Sequence, residues 1–336
     1  MFLYRDILKR SANIAWSHKN LWFFGIFAAL LEGIGQYTMT ISRSPEDWMN
    51  GTFSALALLN SQGNIVVNLI NLLHTDPTSA VIFSTFLLIV AIFCFFILWL
   101  AVISQGGLIN NAAAIIRNNI KKGDLPIRDG LEKGIKKFWP VLAYNIIGAS
   151  LIAFFAALAG LPLVYMTGVS GLNVFILYII LFIIFIPLTL IIYFLTKYTI
   201  IFTIVKDRKF VDAIADAFRL FGKYWLISLE MGLILFMIDF LAICALALVV
   251  LIVAIPYMFA ARILSLLFYM VAGADVFFQF TIMAGVFLSL IFVVWVGAML
   301  TVFKTTAWTD IFISLIDKKG GLAKLERVAA GMRRKN

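Results

Sequence analysis

Positive charge in this chain is confined to four stretches, and long apolar runs fill the distance between them. Of the 27 Lys and Arg residues, Arg5, Lys9, Arg10 and Lys19 open the chain and seven lie between Arg117 and Lys137. Six more lie between Lys197 and Lys223, and eight run from Lys304 to the end. Only Arg43 and Arg262 fall elsewhere. The run Ala80 to Ile103 holds no charge and is long enough to cross about 30 Å of hydrocarbon. Basic residues gather on the cytoplasmic side of such runs. The pattern therefore predicts an all-α polytopic protein of the cell (plasma) membrane with six transmembrane helices and both termini cytoplasmic.

Composition agrees. The 336 residues are 63% apolar and 13% charged, against roughly half and a quarter for a soluble domain. The mean hydropathy is +1.04. Cys94 and Cys244 both sit inside apolar runs, where a free Cys behaves as a small hydrophobe. The formal charge of +10 is spread over every cytoplasmic edge, which disfavours nucleic acid as a partner. It favours anionic lipid headgroups, at about 1 kcal/mol per cation near the surface.

The predicted spans are about 21–41, 80–103, 140–161, 174–201, 225–254 and 277–303. Lys19-Asn-Leu-Trp22, Lys136-Lys-Phe-Trp139 and Gly222-Lys-Tyr-Trp225 align, each opening an odd-numbered span. Trp22, Trp139 and Trp225 are thus expected at one membrane level as interface anchors. Each follows a stretch with helical amphipathic spacing: Leu3, Ile7, Ile14 and Ala15 in the first, Phe210, Ile214, Phe218 and Phe221 in the third. These read as interfacial helices lying on the membrane. The chain is then three hairpins, each preceded by an amphipathic interfacial helix, in diverged units of about 1–123, 124–207 and 208–316. Residues 317–336 form a basic cytoplasmic tail with one apolar stripe. Three hairpins of one orientation imply parallel repeats.

Within this frame, small-residue stripes (Gly25, Ala29, Gly33 in span one; Ala149, Ala153, Ala157 in span three) suit close helix packing. Pro187 predicts a kink in span four. Pro256 ends span five, leaving 257–272 as a half-buried surface helix. Residues 42–78 form a long exterior loop, with an Asn-Gly turn at Asn50 that also reads as a glycosylation sequon.

The chain resembles a loose group of uncharacterised prokaryotic six-span membrane proteins, similar to the membrane domain found beside some glycerophosphodiester phosphodiesterases. The resemblance is carried by WSHKNLWFFGIFAAL from Trp16, ISQGGLINNA from Ile103, AFRLFGKYW from Ala217 and TTAWTDIF from Thr305. The phosphodiesterase catalytic domain has no counterpart here, so its activity does not transfer. What the resemblance implies is a membrane-embedded accessory protein.

Chemistry-bearing motifs are sparse. Gly168-Val-Ser170-Gly171 has the form of an intramembrane serine-protease motif, but the only histidines are His18 and His74, neither placed to act as its base. There is no HExxH, no zinc-spaced Cys pair and no Walker A sequence, so no catalytic, cofactor or metal residue is assigned. The remaining candidates are charges at membrane depth: Glu32, Glu230 and Asp239 with Lys197 and Lys304. Acids in spans face the bundle interior or water and find partners. Glu230 is expected to bridge to Lys197 or Lys304, and nine residues place Glu230 and Asp239 on opposite helix faces. These readings favour a non-enzymatic accessory, scaffold or lipid-environment factor. A transporter or channel using the carboxylates is the alternative, and a membrane lipid enzyme the least favoured.

Overall fold

A computed structural model of the chain describes residues 3–40, 77–118, 127–165, 172–272 and 274–317. Of the described residues, 97% are helical and none lies in a strand. The helices are α1 (Leu3–Ser17), α2 (Asn20–Thr40), α3 (Pro77–Asn118), α4 (Ile127–Lys136), α5 (Phe138–Tyr165), α6 (Leu172–Val205), α7 (Phe210–Ala272) and α8 (Ala274–Asp317). The exterior-loop, Ser170-turn and basic-tail readings fall outside the described residues.

Five helices are long and apolar enough to cross a membrane, through Val81–Arg117, Phe138–Leu158, Ile179–Val205, Phe210–Leu266 and Phe278–Ile316. The described apolar part of α2, Asn20–Leu31, is shorter. Several helices outrun the predicted spans. The polar stretch after Ile103 continues α3 for fifteen residues to Asn118 without a break. The third amphipathic stretch and the fifth span are one helix, α7, bent where Tyr224 leaves helical geometry (φ −128°, ψ 31°). Pro256 does not end it, and no separate surface helix forms over 257–272. Proline removes one N–H, and hydrocarbon surroundings force the remaining backbone groups to stay paired within the helix. Pro187 likewise lies inside a continuous α6.

The chain forms two compact units. One comprises Met1–Ala29, Asn111–Ile127 and Gly222–Asn336; the other comprises Leu30–Asn110 and Arg128–Phe221. In the first, α1 packs along α8, and in the second α5 packs along α6. Buried residues gather at the basic ends of the long helices: 101–109 in α3, 198–204 in α6 and 305–315 in α8 are buried throughout. The apolar runs are the reverse. No residue in the most apolar window of α7 is buried, and at most 17% of each other window is. Cys94 and Cys244 are free and exposed on these runs.

This distribution corrects the reading of α1. Ile7, Ile14 and Ala15 are all 5% exposed or less, in the helix that packs along α8, so its apolar face is taken up by protein rather than by a membrane surface. Amphipathic spacing specifies that one face is buried, and is silent on what buries it. The stripe in α5 also differs from expectation. Ala149, Ala153 and Ala157 are exposed, and the close approach is made instead at Gly148, where an added Cβ would stand 2.6 Å from Thr196 Oγ1. Gly25 does pack closely, its Cβ position 2.5 Å from Ala298 O on α8.

Candidate functional site

The polar side chains that the sequence distributes along spans are gathered by the fold at the basic helix ends. In the first unit, α8 turns Thr305, Thr306, Thr309, Asp310 and Ser314 inward, all 9% exposed or less. Arg10 of α1 reaches Asp310 at 3.4 Å, and Asp310 is only 1% exposed. A carboxylate so deep needs such a partner, since burying an isolated charge costs several kcal/mol or more. Tyr4, one and a half turns earlier on α1, donates its hydroxyl to Glu230 Oε2 on α7. The two contacts fasten α1 to both long helices. Ser11 and Thr306, both fully buried, have side-chain oxygens with no hydrogen-bond partner among the described residues, as do both ring nitrogens of His18.

Further along the same pair of helices, Lys304 of α8 meets Asp239 of α7 at 3.2 Å, each about four-fifths buried. Beyond it, the Tyr257 hydroxyl donates to Thr281 O, and the Arg262 guanidinium stands 5.2 Å over the Phe278 ring. These three contacts fix α7 and α8 as antiparallel neighbours. From Asp239 to Arg262 is 23 residues, or about 35 Å of helix.

In the second unit α4 is the organising element. Its small face, Gly130 and Gly134, is buried, and a Cβ on Gly134 would stand 2.3 Å from Ile103 O of α3. Only glycine allows this backbone approach. Lys133 Nζ donates to both Asp207 oxygens at 2.7 Å, and Lys137 reaches the same carboxylate at 3.1 Å. The Lys133 hydrogen bond, with Lys137 and the two positive charges adding, holds the Asp207 carboxyl below its ordinary value. Asp207 has φ 53° at the end of α6, a left-handed position that Asp tolerates better than most residues. On α5, the Tyr144 ring stacks on Phe210 at 4.6 Å. Its hydroxyl donates to Phe210 O and accepts from Thr203. Asn145 Nδ2 donates to Gln105 Oε1 of α3 at 2.8 Å.

The expected site residues are placed as follows. Asp239 and Lys304 are together, and Glu230 receives Tyr4, a partner the sequence did not suggest. Lys197 is half-buried, 5.4 Å over the Tyr193 ring one turn away. Glu32 lies on α2, and its side chain is outside the described set. Trp22 donates Nε1–H to Ala15 O at 2.8 Å and packs edge-on against Trp295. Trp139 is 75% exposed and Trp225 54%. Sequence reasoning missed Asp310 and Asp207. The first carried a signal, an acid within TTAWTDIF where every neighbour is apolar or hydroxyl-bearing.

Among the described residues, no group of three or more His, Cys, Asp or Glu could hold a metal ion. No protein-family model, curated protein or solved structure matches the chain.

Proposed function

We propose that the protein is a non-enzymatic multi-pass scaffold or accessory factor of the plasma membrane. In this reading it has six spans in three hairpins, with α2 as the first, and both termini in the cytoplasm. The observation that carries it is the contrast along single helices: packed, ion-paired basic ends, and apolar runs whose faces are open nearly all round. Such runs present their surface to lipid or to neighbouring membrane proteins, whereas helices lining a transport path bury one face against each other. Asp239–Lys304 and Arg262 then bracket the hydrocarbon crossed by α7, because their separation of about 35 Å matches its thickness of about 30 Å. Trp225 and Glu230 lie on the cytoplasmic side of that slab, in the headgroup region and beyond.

Proteoliposomes loaded with a pH-sensitive dye test the reading against proton or cation passage. Flux equal to protein-free vesicles, unchanged in Asp239→Asn, is expected. Flux above that level which falls in Asp239→Asn would overturn the scaffold reading in favour of transport.

A further inference from the structure

The glycine face of α4 is spent on α3, and this leaves its opposite face unoccupied. Leu131 is half-exposed and Ile135 is 54% exposed. With Arg128, Glu132 and Lys136 they line one shallow groove. The apolar line Leu131–Ile135 steps at four-residue spacing to Trp139, the first exposed aromatic of α5. From there it runs on to Ile146, Ile147 and Phe154, all exposed on the apolar run of α5. The groove is therefore continuous with a surface built to meet acyl chains. Its charges differ from those behind it. Lys133 and Lys137 are held by Asp207, whereas Arg128 and Lys136 make no ion pair among the described residues and are exposed. They stand two turns apart on one line with Glu132 between them, a net single positive charge beside the apolar stripe.

We propose that this groove binds one anionic glycerophospholipid. Its phosphate sits between Arg128 and Lys136, and its acyl chains follow Leu131, Ile135 and Trp139 down onto α5. A phosphate pairs with guanidinium and ammonium through charge-assisted hydrogen bonds. The apolar stripe distinguishes a lipid from a free anion, since burying each methylene is favourable and inorganic phosphate has none. The inference deepens the scaffold reading by naming what the cytoplasmic edge of α4 holds, and rests on that reading for the position of the membrane.

The test uses the full chain in phosphatidylcholine nanodiscs containing a minor fraction of phosphatidylglycerol with a photoactivatable group near its headgroup. Cross-linked peptides are then mapped. Labelling of 131–139 is expected, falling about thirtyfold in the double variant Arg128→Gln/Lys136→Gln at roughly fivefold per cation, and rising in Glu132→Gln. The charge-matched control Arg5→Gln/Lys9→Gln should leave it unchanged. An equal loss in that control would reduce the effect to general electrostatics and overturn the site. Displacement of the lipid by inorganic phosphate alone would make it a free-anion site and overturn the lipid assignment. Unchanged labelling in Leu131→Ser/Ile135→Ser would overturn the placement of the chains. All four substitutions are on the surface, and helicity and melting temperature check that each variant folds. Cation flux in the dye assay would defeat the scaffold reading while leaving this labelling pattern as it is.

Discussion

At Asp207 the chain leaves α6 through a left-handed residue whose carboxylate is gripped by Lys133 and Lys137. The two roles separate by substitution. Asp207→Asn keeps a residue tolerant of φ 53° and removes the charge, and Asp207→Ala adds backbone strain of about 1 kcal/mol or more on top. Because the folded carboxyl titrates below its unfolded value, its stabilisation is complete above the unfolded value of about 3.9. It is lost as pH falls through the lowered folded value. Asp207→Asn should therefore lower the melting temperature at neutral pH and converge on the parent protein in strong acid. Thermal denaturation in detergent at several pH values measures it, and a gap that persists unchanged at acid pH contradicts the ion-pair assignment. The carboxylate is 58% exposed, so solvent screening keeps the effect small. The Arg10–Asp310 contact is different, because Asp310 is almost wholly inside. Arg10→Ala should cost about 1–3 kcal/mol by taking a charged partner from a buried acid. Arg5→Ala, one turn away and exposed, should cost under about 0.5 kcal/mol. Equal losses from the two would show that α1 is not held through Asp310.

Among the elements, α4 and α1 show what helical periodicity can and cannot say. Both were legible as amphipathic helices, yet Ile7 and Ile14 are buried in the protein while Ile135 faces out. The difference lies in small residues. Gly130 and Gly134 let α4 approach α3 by its backbone, so its bulky side chains are left for another surface. Ala213 and Ala217, fully buried, do the same for the start of α7, where Val211 and Phe218 are exposed. On α1 the buried face is itself bulky. A one-residue test follows. Gly134→Ala places a methyl 2.3 Å from a helix backbone oxygen that cannot swing away, which should cost about 1–3 kcal/mol. Gly222→Ala has nothing within 4 Å and should be neutral or stabilising by up to about 1 kcal/mol, since Ala is the better helix former. Chemical denaturation of the two variants side by side decides, and equal stability would contradict the glycine contact. The long helices themselves were visible in the apolar runs. Their extents were not, because Pro256 and the polar run after Ile103 break helices in water far more readily than in a packed or lipid setting.

For the whole molecule, the alternation of apolar runs and basic stretches was enough to specify a helical membrane protein, which the five long apolar helices bear out. The location of the polar contacts was not readable. Depth counted from Trp225 put Asp239 near mid-membrane and Lys304 at the foot of its span, yet the two lie 3.2 Å apart. Counting along one helix assumes that its first aromatic marks the hydrocarbon edge, and only a cross-helix contact can check that assumption. The proposed slab moves the edge to the Asp239–Lys304 pair, about 21 Å along α7 from Trp225. Spin labels placed singly at Trp225, Phe240, Leu248 and Met258 in bilayers, with power saturation by oxygen against a water-soluble relaxant, measure this directly. The slab predicts the greatest depth at 248, shallower and similar values at 240 and 258, and a label at 225 accessible to the aqueous relaxant. A label at 225 lying as deep in hydrocarbon as that at 240 would contradict it.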